Sequence, residues 1–263
     1  MSKVIVITGA SSGIGAAIAV RLGGDGHELA LASRSESALH TVAAQASPAA
    51  RTFVTDVTRR QDVVRLRDGA LGAFGHIDVW INNAGRGISR AALELTDDEF
   101  DEMMSVNVKS ALYGMQAIVP HFLERGTGHI INISSFLGRV PIATHRSAYS
   151  AAKAALNSLT ANVRFDLREH PHVHVSLVMP GLVLTEFARN VLGTPSTTPP
   201  PWLTGPSPLP PGAMKPQTAE GIAAVVRELI EHPVAEVYTN PASHDVVRAY
   251  MDDVEAFEKN LKQ

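Results

Sequence analysis

Val4-Ile5-Val6-Ile7-Thr8-Gly9-Ala10-Ser11-Ser12-Gly13-Ile14-Gly15 is the stretch that decides the fold. Four successive branched apolar residues read as a strand covered on both faces. The segment from Gly13 to Leu22 reads as a helix, so the glycines stand between a strand and a helix. They permit a tight turn and let backbone N–H groups approach a pyrophosphate, which also meets the positive end of the helix. A glycine cluster alone is weak evidence. In this setting it reads as the opening of a dinucleotide-binding unit.

Outward from that stretch, apolar runs of strand length alternate with longer helical segments. Further strands are expected at Glu28–Ser33, Arg51–Thr55, Ile77–Asn82, His129–Ser134, His174–Met179 and Glu236–Thr239. Between them lie helical segments such as Arg59–Phe74, Glu99–Leu123, Ala148–Arg168 and Thr218–Glu231. This order predicts an α/β fold, a Rossmann-type doubly wound parallel sheet, forming a single domain over residues 1–263. The charge of −3 gives no basic field for nucleic acid or an anionic membrane. With no cysteine, thiolate metal sites and cysteine nucleophiles are excluded. No apolar run approaches about 18 residues and Met1-Ser2-Lys3 leads straight into the first strand, so a cytoplasmic protein is expected. His170, His172 and His174 alternate along a strand entry but lack a carboxylate partner, and no metal site is expected.

Two further places carry chemistry. The second strand ends Ser33-Arg34, where a site for NAD would offer an acidic residue to the ribose. Arg34 instead suits a 2′-phosphate, with Ser33 or Ser12 adding a hydroxyl, which points to NADP(H). Asn82-Asn83-Ala84-Gly85 closes the fourth strand at the same sheet edge. Tyr149 and Lys153 stand four residues apart and share a helix face. A lysine ammonium about 4 Å from a phenol offers roughly 4 kcal/mol at an effective dielectric of about 20. That would bring a group titrating near about 10 into working range for acid–base chemistry.

Taken together, the chain resembles the short-chain dehydrogenase/reductase family in its compact form. The motifs run in the family's order over nearly the whole chain: Thr8–Gly15, Asp56-Val57, Asn82–Gly85, Asn107, Ile133-Ser134-Ser135, Tyr149 with Lys153, and Pro180-Gly181 with Thr185. The resemblance implies that Tyr149 is the acid/base and that Lys153 lowers its pKa and binds the nicotinamide ribose. It implies that Ser135 stabilises the substrate oxygen and that Asn107 holds a water linking Lys153 to solvent. Cofactor contacts are implied for Gly9, Ser11, Ser12, Gly13, Ile14, Gly15, Ser33, Arg34, Asp56, Val57, Asn83, Ala84, Gly85, Tyr149, Lys153, Pro180, Gly181, Val183 and Thr185. The expected activity interconverts a carbonyl and an alcohol on a small, apolar substrate, in a homodimer or homotetramer. Alternatives are an isomerase or lyase using the nicotinamide transiently, and a cofactor-sensing scaffold without turnover.

The C-terminal part departs from the family, whose frequent Val-Asp-Gly-Gly ending is missing here. Residues 190–214 hold no charge, and nine of the sixteen prolines fall between Pro195 and Pro216. A substrate lid over residues 186–216, with Trp202 as its main contact, is expected from this stretch. Ser243–Gln263 follows as an amphipathic helix, docked on its own domain or on a second subunit.

Overall fold

The computed structural model describes residues 2–185, 187, 191–193 and 215–261. Most of the expected lid, Trp202 included, lies outside the described residues. Seven parallel strands form one sheet in the order β3-β2-β1-β4-β6-β7-β9. They are β1 (Val4–Thr8), β2 (Glu28–Ser33), β3 (Arg51–Val54), β4 (Val79–Asn82), β6 (Gly128–Ile133), β7 (Val173–Met179) and β9 (Glu236–Tyr238). Strand order reverses between β1 and β4, so a crevice opens at the carboxyl ends of these two strands. β5 (Ile88–Ser89) and β8 (Leu192–Gly193) form a separate short ladder beside that edge.

Alternate residues of β1 face opposite layers, as a strand's period of two requires. Ile5 and Ile7 join the core under α1 (Gly13–Gly24) and α2 (Glu36–Ala46). Val4 and Val6 join the other core with Leu66 of α3 (Arg60–Phe74) and Ile118 and Phe122 of α5 (Ser110–Arg125). α7 (Ala219–Glu231) returns to pack Val226 and Leu229 beside α1, so helices cover both faces. Truncating any of these buried aliphatic residues to alanine costs about 2–5 kcal/mol.

Sequence and structure differ in two helical segments. The expected Glu99–Leu123 helix is divided into α4 (Asp97–Met104) and α5 by a wide turn over Ser105–Lys109. The Ser110 N–H reaches back five residues to the Ser105 carbonyl there. Such wide turns are frequent at functional sites, and this one contains Asn107. The C-terminal segment is two helices, α8 (Ser243–Asp252) and α9 (Val254–Leu261). Asp253 is extended between them, and its carboxylate accepts from the Ala256 N–H at 2.9 Å, capping α9. Val246, Val247, Tyr250, Phe257 and Leu261 close on Phe136, Leu137 and Val140, so the pair docks on its own domain. Among the described residues no helix is long and apolar enough to cross a membrane.

Candidate active site

The glycine turn is fixed by contact with the end of β4. Gly9 has φ +64°, and a Cβ there would sit 2.8 Å from the Ala84 Cα. A Cβ on Gly15 would lie 2.2 Å from the Gly9 carbonyl oxygen. The Asn83 amide donates to the Thr8 and Gly9 carbonyls at 3.0 and 3.1 Å, and the Asn83 N–H donates to the Thr8 hydroxyl. Asn83 therefore acts on the turn itself, through its side chain. Ser12 stands at the start of α1 without capping it by its side chain, leaving that hydroxyl and the first-turn N–H groups for another acceptor. Ser11 and Gly13 complete the turn, while Ile14 packs inward on the core.

At the end of β2 the Ser33 hydroxyl accepts from the Ser35 N–H at 3.2 Å. Arg34 is exposed, forms no ion pair among the described residues and acts on the Asp56 carboxylate through its charge. Glu36, the nearby acid, pairs with His40 instead. Asp56 accepts from the Thr58 N–H and hydroxyl at 3.0 and 2.7 Å. Burial would raise its pKa, but the Thr58 hydrogen bonds, with Arg34 and Arg59, hold it below the usual carboxylate range. Val57 beside it is buried in the core.

Ser134 and Ser135 diverge at the end of β6. The Ser134 hydroxyl donates to Asn157 Oδ1 at 2.5 Å, and Asn157 in turn donates to the Gly138 carbonyl at 3.1 Å. Ser135 lies within hydrogen-bonding reach of the Tyr149 phenol and accepts from the Leu137 N–H. Tyr149 and Lys153 project from the first turns of α6 (Ser147–Asp166), and both are buried. Lys153 Nζ donates to the Ile133 carbonyl at 2.9 Å and stands 5.7 Å from the Tyr149 ring centroid.

The electrostatics correct the expectation from spacing alone. Burial pushes the Tyr149 phenol up to about 12, outweighing Ser135 and the charge of Arg146, both of which act downward. Burial also takes Lys153 down to about 8. Desolvation works against both charged forms, and the charge acting on the phenol belongs to Arg146. Asn107 Nδ2 donates to the Arg86 and Met103 carbonyls, while its Oδ1 accepts from the Arg86 N–H. A Cβ on Gly85 would come 2.8 Å from that oxygen and 3.6 Å from Lys153 Nζ. Asn107, Lys153 and Gly85 therefore meet at one point. A phenol, a hydroxyl and an amine gathered in this way can pass a proton to or from a substrate oxygen and steady the charge on it.

The loop after β7 completes the edge. The Pro180 carbonyl accepts from the Phe136 N–H, and Thr185 lies over Gly13, whose Cβ would be 3.6 Å from the Thr185 Cβ. Gln217 pairs with Val183 by a parallel bridge, receives the Gly181 N–H, and ties both to Thr239. Two residues absent from the sequence-based expectations thus shape the site, Asn157 and Gln217, and Phe187, from the expected lid, joins them with its ring 5.6 Å from that of Tyr149. Asn157 had a faint signal, standing on the Tyr149–Lys153 helix four residues beyond the lysine.

The short chain dehydrogenase profile matches residues 3–195. An oxidoreductase of Staphylococcus epidermidis is 37% identical over 187 residues, covering 71% of this chain and 80% of its own. A solved short-chain dehydrogenase/reductase from Burkholderia phymatum, in complex with NAD, aligns at TM-score 0.82 and 29% identity, covering 97% of this chain and 95% of its own. An alcohol dehydrogenase from Thermococcus sibiricus, complexed with 5-hydroxy-NADP, aligns at TM-score 0.75 and 29% identity, covering 90% and 96%. With a profile spanning the sheet's first six strands and identities of this extent, the chain is an oxidoreductase of the short-chain dehydrogenase family.

Proposed function

We propose that this protein interconverts a carbonyl and an alcohol on a small, apolar substrate, using NADP(H). The observation that carries this reading is the buried Tyr149 phenol, with Ser135 in hydrogen-bonding reach and Lys153 one turn further along α6. The glycine turn supports a dinucleotide: side chains at Gly9 or Gly15 would collide with Ala84, Asn83 or the Gly9 carbonyl and push the turn open, and Ser12 leaves its hydroxyl and the α1 N-terminus available. Gly13, Asn83, Ala84 and Gly85 would line the cofactor's path, with Pro180, Gly181, Val183 and Thr185 along its nicotinamide end. Asp56 and Val57 would meet the adenine. Arg34, exposed and outside any ion pair among the described residues, supports a 2′-phosphate and so NADP over NAD.

When bound, the cofactor supplies or accepts the hydride. In the reductive direction Tyr149 gives its phenolic proton to the carbonyl oxygen while Ser135 donates a hydrogen bond to that oxygen. Lys153, brought to about 8 by burial, can exchange a proton near neutral pH and restore the phenol. Asn107 holds the Arg86 backbone and closes the turn beside the lysine. The apolar surroundings of Tyr149, namely Ile88, Leu95, Phe187 and Leu192, suit an apolar substrate.

The test is NADPH oxidation with a panel of aliphatic and aromatic ketones and aldehydes, repeated with NADH. On the best substrate, Tyr149→Phe lowers kcat by about 10²–10⁴-fold, with NADPH affinity unchanged by calorimetry. Near-normal turnover in that variant would remove Tyr149 from the chemistry.

A further inference from the structure

We propose that Asn157 is a positioning residue for Ser135: one buried side chain on α6 holds both ends of the Ser134–Gly138 turn and so fixes the Ser135 hydroxyl against the Tyr149 phenol. The inference rests on reading Ser135 as the donor to the substrate oxygen. Tyr149, Lys153 and Asn157 recur every four residues, so phenol, amine and amide share one face of α6. Asn157 is 3% exposed, and an amide so buried is costly unless its hydrogen bonds are made. Its Oδ1 accepts from the Ser134 hydroxyl at 2.5 Å, and its Nδ2 donates to the Gly138 carbonyl at 3.1 Å. Ser134 and Gly138 bracket Ser135, Phe136 and Leu137, so the amide spans the turn from end to end.

The turn is pressed onto the helix as well as bonded to it. A Cβ on Gly138 would lie 2.7 Å from the Lys153 carbonyl carbon, 2.9 Å from its oxygen and 2.8 Å from Asn157 Nδ2. Within the turn the Gly138 N–H donates to the Ser135 carbonyl at 3.0 Å, and the Leu137 N–H donates to the Ser135 hydroxyl at 3.1 Å. That hydroxyl oxygen accepts from the turn, and its own proton is left to be donated elsewhere. Further down, Asn132 Nδ2 donates to the Thr160 hydroxyl at 2.9 Å and ties β6 to the next turn of α6. Two side-chain contacts thus register β6 on α6, and the one made by Asn157 reaches past the strand into the turn that carries Ser135.

The consequence is geometric. The separation of the Ser135 hydroxyl from the Tyr149 phenol is set by a short turn and a helix, and Asn157 belongs to the helix while gripping the turn. Both groups must meet one substrate oxygen, and a displacement of about 1 Å can cost about a hundredfold in rate. Leucine at this position keeps the volume and removes both bonds. Asn157→Leu should therefore lower kcat by about ten- to a hundredfold. NADPH affinity should be retained, because the glycine turn after β1 is held by Asn83 and Ala84.

A double-mutant cycle separates positioning of Ser135 from general support of the fold. Wild type, Asn157→Leu, Ser135→Ala and the double variant are assayed with NADPH and the ketone or aldehyde that wild type reduces fastest. Ser135→Ala alone should lower kcat by about 10²–10³-fold. In that background Asn157→Leu should cost less than about twofold more, since the group it positions is gone. Ser134→Ala removes one of the two bonds with little change in volume, and it carries the same cycle should leucine disturb the fold. Exchange of the Leu137 amide in the NADPH complex needs no substrate and should become about tenfold faster when the turn is released. Wild-type kcat or wild-type Leu137 exchange in the folded variant overturns the proposal. Equal losses with and without Ser135 also overturn it, because Asn157 would then act on α6 and not through the serine. If Ser135→Ala is slow while Asn157→Leu is not, the proposal fails alone. Full turnover in Ser135→Ala removes the catalytic reading of Ser135 and the proposal with it.

Discussion

The two halves of the sheet build their loops by different means. At the ends of β1 and β4, close backbone packing adds to the Asn83 and Thr8 side-chain bonds: Gly9 lies under Ala84, and Gly15 lies under the Gly9 carbonyl. At the ends of β6 and β7, side chains tie the loops down: Asn157 holds Ser134 and Gly138, and Gln217 holds Gly181 and Thr239. Steric closure leaves no alternative geometry, whereas a clamp made by one side chain can open without disturbing the core. The rigid half faces the part of the site proposed for the cofactor. The clamped half carries the surfaces around Tyr149 and Thr185, where substrates would differ.

Gly15→Ala is the strongest test of that contrast. Its Cβ would overlap the Gly9 carbonyl at 2.2 Å and the Asn83 amide at 2.5 Å, so either α1 or the turn must move. Overpacking of this kind costs about 1–3 kcal/mol, and the displaced turn should lose at least about a hundredfold in NADPH affinity. Retention of wild-type affinity by calorimetry would mean that the turn is as adaptable as the loops beyond β6.

Arg34→Ala is a gentler probe of the same half, because it removes an exposed side chain and leaves the turn in place. A charge-assisted contact is worth about 1.5–3 kcal/mol, or roughly ten- to a hundredfold in affinity. The loss should fall on NADPH and spare NADH. Equal losses for both cofactors, or a wild type that prefers NADH, would sink the 2′-phosphate assignment.

The same contrast governs what the sequence makes legible. The central strands β1, β2, β4 and β6 follow from apolar runs, because a strand covered on both faces leaves that mark locally, whereas β3 and β9 at the sheet's edges are only partly buried. The glycine turn is equally local: strand, glycines and helix are consecutive. Ser135, Tyr149 and Lys153 are brought together as the resemblance implies, and the divergence of Ser134 follows from strand alternation. The direction of the Tyr149 pKa was not legible, since spacing gives a distance to Lys153 but says nothing of desolvation. Nor was the break at Ser105–Lys109, where Asn107 bonds a backbone segment some twenty residues earlier in sequence. Gln217 and Asn157 likewise act through partners far away in the chain, and neither belongs to a local pattern. Asp253 is the exception: an acidic residue that could have been read as a helix start within an otherwise continuous amphipathic repeat.

Gln217→Ala makes the smallest expected change and bears most directly on the clamped half. The side chain accepts from the Gly181 N–H at 3.3 Å and the Thr239 hydroxyl at 2.7 Å, and donates to the Thr239 carbonyl at 2.9 Å. Its backbone bonds to Leu182 and Leu184 survive the substitution, so the loop should loosen and not unravel. Gln217 is half-buried, and water can replace part of what is lost, so the cost should be about 1–2 kcal/mol. Hydrogen exchange reads this locally: amides of residues 181–184 should exchange about 5–30 times faster. Those of residues 9–15 should keep their wild-type rates, because nothing in the steric closure around Gly9 depends on Gln217. Equal acceleration at both places would mean that the two halves open as one unit. Unchanged rates at 181–184 would leave the Leu182 and Leu184 backbone bonds sufficient to hold the loop.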